Sequence, residues 1–232
     1  MSNASLIQDG WFVEKFQGVA TAIEIDEVLL YKKTQFQDLL VFRSLHWGRV
    51  LVLDGAIQFT QRDEMAYQEM LAHLAMFSHY DPRRVLVIGG GDGGVIREVC
   101  KHLCVETAVL CEIDGDVVDA AKRFFPDMAS SLDDPRVNVH IGDGVAFLES
   151  AGDGEYDVII IDSSDPTGPG KKLFTPKFYE RVHRALRPRG VVCAQGGNMW
   201  LQLDLVRTMV KVHGKPFFSA EYASMQVPTY LR

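Results

Sequence analysis

Arg84-Val-Leu-Val-Ile-Gly-Gly-Gly-Asp-Gly-Gly-Val-Ile-Arg-Glu-Val99 sets the fold class of this chain. Val85 to Ile88 is a short apolar, β-branched run, the pattern of a buried parallel strand. Gly89 to Gly94 holds five glycines in six residues. Val95, Ile96 and Val99 then recur at helical spacing. Strand, glycine turn and helix together let a backbone approach a ligand closely. The turn's one side chain is Asp92. A phosphate cradle disfavours a carboxylate there, whereas a cationic ligand favours one. The turn also satisfies Gly-x-Gly-x-x-Gly through Gly89, Gly91 and Gly94, a weak signal alone. Asp92 beside a pyrophosphate, and no distinct catalytic domain downstream, argue against a nicotinamide enzyme.

Downstream, strand and helix patterns alternate. Strand candidates are Val85–Ile88, Thr107–Ile113, Val137–Ile141, Val158–Ile161, Val191–Ala194 and Phe217–Met225. Helix candidates are Val95–His102, Gly115–Phe124, Gly144–Ala151, Thr175–Leu186 and Leu201–Val212, with Gly190 after Pro188 as a helix stop. This alternation predicts an α/β, Rossmann-like, doubly wound parallel sheet of the methyltransferase type. Upstream, Glu64 to His79 carries apolar residues at helical period and ends at Asp81-Pro82. Before it, Ala20–Ile25, Glu27–Tyr31, Asp38–Arg43, Gly48–Leu53 and Ala56–Thr60 read as strands of one small antiparallel sheet. Asp54-Gly55 is a strong hairpin signal. The expected domains are residues 1–62, a β-sheet and oligomerisation domain, and residues 63–232, a catalytic domain.

With a net charge of −7 the chain is a poor nucleic-acid binder. No apolar run approaches the ~20 residues of a membrane span, and no signal peptide pattern opens the chain. The four cysteines, 100, 104, 111 and 193, form no zinc pattern and read as reduced thiols. A cytoplasmic protein without a metal is expected.

Ligands in such sheets sit at the carboxyl ends of the strands. Those ends carry Asp92, then Glu112 and Asp114, then Asp143-Gly144, then Asp162 and Asp165, then Gln195. None carries Lys or Arg. Glu112, about twenty residues past the turn, stands where an acidic group bonds ribose hydroxyls. Asp143 could accept from an adenine amino group or simply cap a helix. Asp114 reads as a cap. Asp92, Asp162 and Asp165 would face the rest of the ligand, and several carboxylates in one pocket call for cations. Tyr67 and Gln68 read either as site residues or as ordinary polarity on a helix surface.

Several motifs carry a resemblance from Trp11 to the end of the chain: the glycine turn, Val-Leu-Asp54-Gly-Ala-Ile-Gln58, Asp63-Glu64, Tyr67-Gln68-Glu69, Asp162-Ser-Ser-Asp165-Pro-Thr-Gly-Pro169 and Val227-Pro-Thr-Tyr230. Together they resemble the spermidine synthases, the polyamine aminopropyltransferase family. The resemblance implies transfer of an aminopropyl group from decarboxylated S-adenosylmethionine to putrescine. Asp162 then accepts a proton from the attacking amine or orients it, with Tyr67 positioning the nitrogen and Asp165 in the acceptor site. Asp92 would hold the donor's ammonium. Gln37, Gln68, Gly89, Gly91 and Gly144 would line the donor site, with Glu112 on the ribose and Asp143 on the adenine. Tyr230, Gln195 and Trp11 would line the acceptor channel. The loop from Ser163 to Leu173 resembles a gate over both substrates. A homodimer or homotetramer through the N-terminal sheet is implied, with no cofactor beyond the donor co-substrate.

Two departures stand out. Gly197 occupies a position that is often acidic in the family and that helps hold the far amine. The sequence also stops at Tyr230-Leu-Arg232, where the family usually continues. A shortened form with an unpaired edge at Phe217–Met225 and reduced stability or activity is therefore expected. The alternatives are a putrescine N-methyltransferase using S-adenosylmethionine, and a weakly catalytic partner subunit of a full-length homologue.

Overall fold

The computed structural model describes residues 7–164, 166 and 168–230. The chain divides into two compact units. One takes the residues up to Tyr67 together with those from Met225 on, and the other runs from Gln68 to Ser224.

The first unit is all β, in two sheets rather than the single one expected. One is the order β1-β2-β3, formed by Ile7–Gln8, Trp11–Phe16 and Val19–Glu24. The other is β4-β5-β6-β7, formed by Glu27–Lys33, Asp38–Ser44, Gly48–Leu53 and Ala56–Thr60. Every pairing in both is antiparallel. The β6–β7 turn is the Asp54-Gly55 hairpin, with φ of 49° and 79°, the primed geometry that matches strand twist. Asp9-Gly10 and Gln17-Gly18 repeat it, with φ of 49° and 82°, then 48° and 83°. The Asp-Gly at position 9 carried the same sequence signal. The two sheets share a core of Phe12, Ile23, Leu40, Phe42, Val50 and Val52. Glu14, 2% exposed, accepts from Ile57 N at 2.9 Å. A buried carboxylate thereby satisfies a backbone donor on the other sheet.

Helix α1, Glu64–Ser78, leads from the first unit into the second. The second unit alternates β8 Arg84–Gly89, α2 Gly94–Cys100, β9 Thr107–Glu112, α3 Gly115–Phe124, β10 Val137–Ile141, α4 Gly144–Ser150, β11 Tyr156–Asp162, α5 Pro176–Ala185, β12 Leu186–Ala194 and α6 Leu203–Thr208. The five strands pair in parallel in the order β10-β9-β8-β11-β12. The chain therefore moves outward from β8 to one side, then returns to the other. The crevice where that order reverses lies at the carboxyl ends of β8, β9 and β11. Leu86, Ile88, Ile159, Ile161, Phe178 and Val182 fill the core beneath it. At the opposite end of β11, Asp157 accepts from Arg83 N at 3.0 Å and Arg84 N at 2.8 Å and pairs with Arg187 at 2.8 Å.

Three local expectations are corrected. Phe217–Met225 forms no strand. Its side chains do not alternate, Phe218 is fully exposed, and among the described residues the sheet ends at β12. A strand without a ladder partner leaves its amides to water. The helix expected over Thr175–Leu186 runs over Pro176–Ala185, but β12 starts at Leu186 rather than after Gly190, because Leu186 is already extended at ψ 140° and Arg187 precedes a proline. The helix foreseen over 201–212 is α6 followed by a π-helical turn, Met209–His213.

Glu98 of α2 is wholly buried and gathers nitrogen donors. Arg97 Nε lies at 2.8 Å from Oε1, and Lys101 Nζ at 2.6 Å and His73 Nε2 at 3.2 Å from Oε2. His73 in turn meets His102 at 2.9 Å. Burial alone would raise the Glu98 carboxyl, but the bonds from Lys101 and Arg97 outweigh it and hold it below the ordinary carboxylate range. Glu98→Gln is expected to cost about 2 kcal/mol, under the roughly 3–5 of a fully enclosed pair because Lys101 is half exposed. Since the folded carboxyl is depressed, its stabilisation is present above the ordinary carboxylate pKa and fades as pH falls below about 4. Thermal melts of both proteins from pH 3 to 7 should show a gap that closes at the acid end.

Candidate active site

The glycine turn is shaped by what lies under it. Gly89 has φ +80°, and a Cβ there would overlap the backbone oxygen of Asp162 on the neighbouring strand. Gly91 is buried, and a Cβ there would come within 2.7 Å of Glu112 Cγ. Absent side chains thus let the ends of β9 and β11 press against the turn.

Glu112 is 7% exposed. Its Oε2 accepts from Gly91 N at 3.1 Å and its Oε1 from Asp114 N at 2.8 Å. Burial, opposed by those two bonds and reinforced by the charges of Asp114 and Asp92, pushes its carboxyl up to about 7. Asp92 Oδ1 accepts from Gly94 N at 2.7 Å and from Gln68 Nε2 at 3.3 Å. Gln68 is buried on α1, so one of the two ambiguous α1 residues does reach the turn. Asp162 ends β11 opposite Gly89. Its charge, after burial, helps push the Cys193 thiol up to about 11. Gln195 follows β12, its N–H donating to Ile161 O at 3.0 Å, one residue from Asp162.

Of the two roles weighed for Asp143, the structure shows the cap. It caps α4, accepting from Val145 N at 2.8 Å, and Gly144 is the first residue of that helix. Its other oxygen meets Lys172 Nζ at 3.3 Å. Burial would raise its carboxyl, but the Val145 N–H and Lys172 outweigh it and lower it. Lys172 was missed because it reaches a strand end from the 3₁₀ turn Gly168–Phe174, not from a strand. Asp114 is a cap, accepting from Asp116 N.

The second unit therefore brings Gln68, Gly89, Gly91, Asp92, Glu112, Asp143, Gly144, Asp162 and Gln195 to one edge of its sheet. Tyr67, Tyr230, Gln37 and Trp11 belong to the first unit. The rings of Tyr67 and Tyr230 pack there, tilted by 54° with centroids 5.4 Å apart. Gln37 closes a turn, its N–H donating to Thr34 Oγ1 at 3.0 Å. Trp11 starts β2 and is 44% exposed. Asp165 lies outside the described residues, so the gate expected over 163–173 is described only in part.

A "Spermine/spermidine synthase domain" model matches residues 64–232 and a "Spermidine synthase tetramerisation domain" model matches residues 10–61. The chain belongs to the spermidine synthase family. Spermidine synthase 2 of Arabidopsis thaliana is 52% identical over 97% of the chain and 68% of that relative. Spermidine synthase of Dictyostelium discoideum is 48% identical over 97% of the chain and 80% of its own length. Among solved structures, a spermidine synthase in complex with the transition state analogue AdoDATO superposes with a TM-score of 0.94 at 36% identity, over 97% of this chain and 77% of that one. The Thermotoga maritima spermidine synthase gives 0.90 at 34% identity, over 97% and 76%. The spermidine synthase fold is thus shared across nearly all of the chain. Among the described residues no three His, Cys, Asp or Glu side chains could together hold a metal ion. No described helix is long and apolar enough to cross a membrane.

Proposed function

We propose the following roles for the aminopropyl transfer of this spermidine synthase family member, from decarboxylated S-adenosylmethionine to putrescine. The observation that carries the reading is the carboxylate rim: Glu112 bonded beneath Gly91, Asp92 within the turn and Asp162 against Gly89. Glu112 accepts the ribose hydroxyls. Asp143 faces the adenine. Asp92, held by Gln68, takes the donor's ammonium, and Gln37 and the backbone at Gly89, Gly91 and Gly144 complete the donor site. Asp162, with Tyr67, orients the acceptor amine, while Asp165, Gln195, Tyr230 and Trp11 line the acceptor's path. By role, residues 1–62 serve oligomerisation and residues 63–232 catalysis, although the compact units divide after Tyr67.

The step is an in-line displacement. The amine nitrogen's lone pair forms a C–N bond to the carbon attached to the sulfonium. The C–S bond breaks with its electrons going to sulfur, leaving neutral 5′-methylthioadenosine. An aliphatic amine with a pKa near 10.4 must lose a proton first, and Asp162 accepts it or orients the amine as water removes it. Alignment supplies most of the rate, since no covalent intermediate is needed. An anionic rim suits a doubly cationic donor, and it would repel the carboxylate of ordinary S-adenosylmethionine, so methyl transfer gains no support. Incubation with decarboxylated donor and a panel of diamines should give spermidine and methylthioadenosine from putrescine. Methylputrescine formed from S-adenosylmethionine would contradict the assignment.

Glu112 makes donor binding pH-dependent. Its folded value, about 7, lies above its ordinary one, so below pH 7 it is largely protonated and a poorer acceptor for two hydroxyls. Methylthioadenosine should bind more tightly as pH rises from 6 to 8, releasing up to one proton per site. Glu112→Gln should flatten that profile and weaken binding about tenfold or more. Calorimetry in buffers of different ionisation heat measures both.

A homotetramer is the reading that the tetramerisation-domain match supports, with a homodimer as the alternative. Light scattering distinguishes four copies of 26.0 kDa from two. Free thiols at all four cysteines support a cytoplasmic setting.

A further inference from the structure

Asp63 stands outside every role assigned above. It is 7% exposed and sits between β7 and α1. Its Oδ1 accepts from Thr60 Oγ1 at 2.6 Å. Its Oδ2 accepts from Thr229 N at 3.1 Å and Thr229 Oγ1 at 2.7 Å. Thr60 and Thr229 are themselves buried. A carboxylate enclosed this way, accepting from hydroxyl and amide donors, is costly unless each bond is kept. It fastens two points 166 residues apart in sequence.

The residue after Thr229 is Tyr230. Its backbone N–H donates to Val227 O at 3.1 Å, its hydroxyl donates to Gln58 O, and its ring packs on Tyr67. The segment around Tyr230 is otherwise irregular, with no strand or helix from Gly214 to Tyr230 to hold it. Asp63 therefore provides an anchor that the secondary structure does not.

We propose that Asp63 is a positioning residue for the diamine acceptor. Through Thr229 it fixes the backbone of Tyr230, and through the Tyr230 ring it fixes Tyr67. This rests on the reading above that Tyr230 and Tyr67 serve the acceptor side. A group that acts on the acceptor's path alone leaves donor affinity untouched, which separates it from a merely structural carboxylate.

The test uses the full chain and four variants: Asp63→Asn, Thr229→Val, Thr229→Ser and Tyr230→Phe. Steady-state kinetics with putrescine and decarboxylated donor are read alongside methylthioadenosine affinity by calorimetry. Thr229→Val keeps shape and removes one bond to Asp63, while Thr229→Ser keeps the hydroxyl. Asp63→Asn and Thr229→Val should raise the putrescine KM about tenfold, the scale of one hydrogen bond to a charged group. Donor KM and methylthioadenosine affinity should stay within about twofold, and Thr229→Ser should restore the wild-type KM. Equal losses in donor and acceptor parameters, or an unchanged putrescine KM in both Asp63→Asn and Thr229→Val while Tyr230→Phe raises it, would overturn the inference. An unchanged KM in Tyr230→Phe would instead overturn the acceptor role of Tyr230 on which it rests.

Discussion

Asp162→Asn should leave the protein folded and donor-competent while lowering kcat about 10²- to 10⁴-fold, the range for removal of a general base. Asn has the volume of Asp, and at the end of β11 it keeps the backbone register with Gly89. What it loses is the charge. Without a carboxylate beside it, the acceptor amine stays protonated at neutral pH, and an ammonium has no lone pair with which to attack. Two further readouts follow from that cause. Methylthioadenosine affinity should change less than about threefold, because Glu112, the proposed ribose ligand, lies on a different strand. The residual rate should rise with pH toward the amine's own pKa near 10.4, as solution supplies the neutral amine that Asp162 no longer supplies. Stopped assays of spermidine formation from pH 7 to 10 measure both. Undiminished turnover at pH 7 would remove Asp162 from its role.

Gly89→Ala should lower the melting temperature by about 10 °C or more. Two costs add. At φ +80° a Cβ costs about 1–2 kcal/mol in the left-handed region. Overlap with the Asp162 carbonyl oxygen is backbone against backbone, which no rotamer relieves, and overpacking of that kind costs a further 1–3 kcal/mol, roughly. About 4 kcal/mol in a protein of this size is 2–4 °C per kcal/mol, roughly. Gly18→Ala is the control. Gly18 has φ +83° and nothing within 4 Å of the added carbon, so it bears the first cost alone and should lose only about 2–8 °C. Equal shifts in the two variants would mean that the close approach of β8 and β11 is not what excludes a side chain at Gly89.

These two positions also show how far the sequence could be read. The glycine turn was legible because its requirement is local, and so was Glu112, placed by its distance along the chain from that turn. Asp114 read correctly as a cap for the same reason. What escaped were features set by distant partners. Lys172 reaches Asp143 from a loop 29 residues on, and no spacing rule connects them. The Asp63–Thr229 bond spans the chain. Phe217–Met225 has strand-like composition, but composition does not supply a neighbour to pair with. Asp9-Gly10 is a different case: its hairpin signal is as local as that of Asp54-Gly55, and the two turns have matching φ values.

The carboxylate rim is the claim on which the rest depends, and a crystal structure with methylthioadenosine bound tests it most directly. The account predicts the ribose hydroxyls within hydrogen-bond distance of Glu112, above the glycine turn and across the ends of β8, β9 and β10. A nucleoside bound at any other place on the sheet, or with its ribose turned away from Glu112, would contradict it.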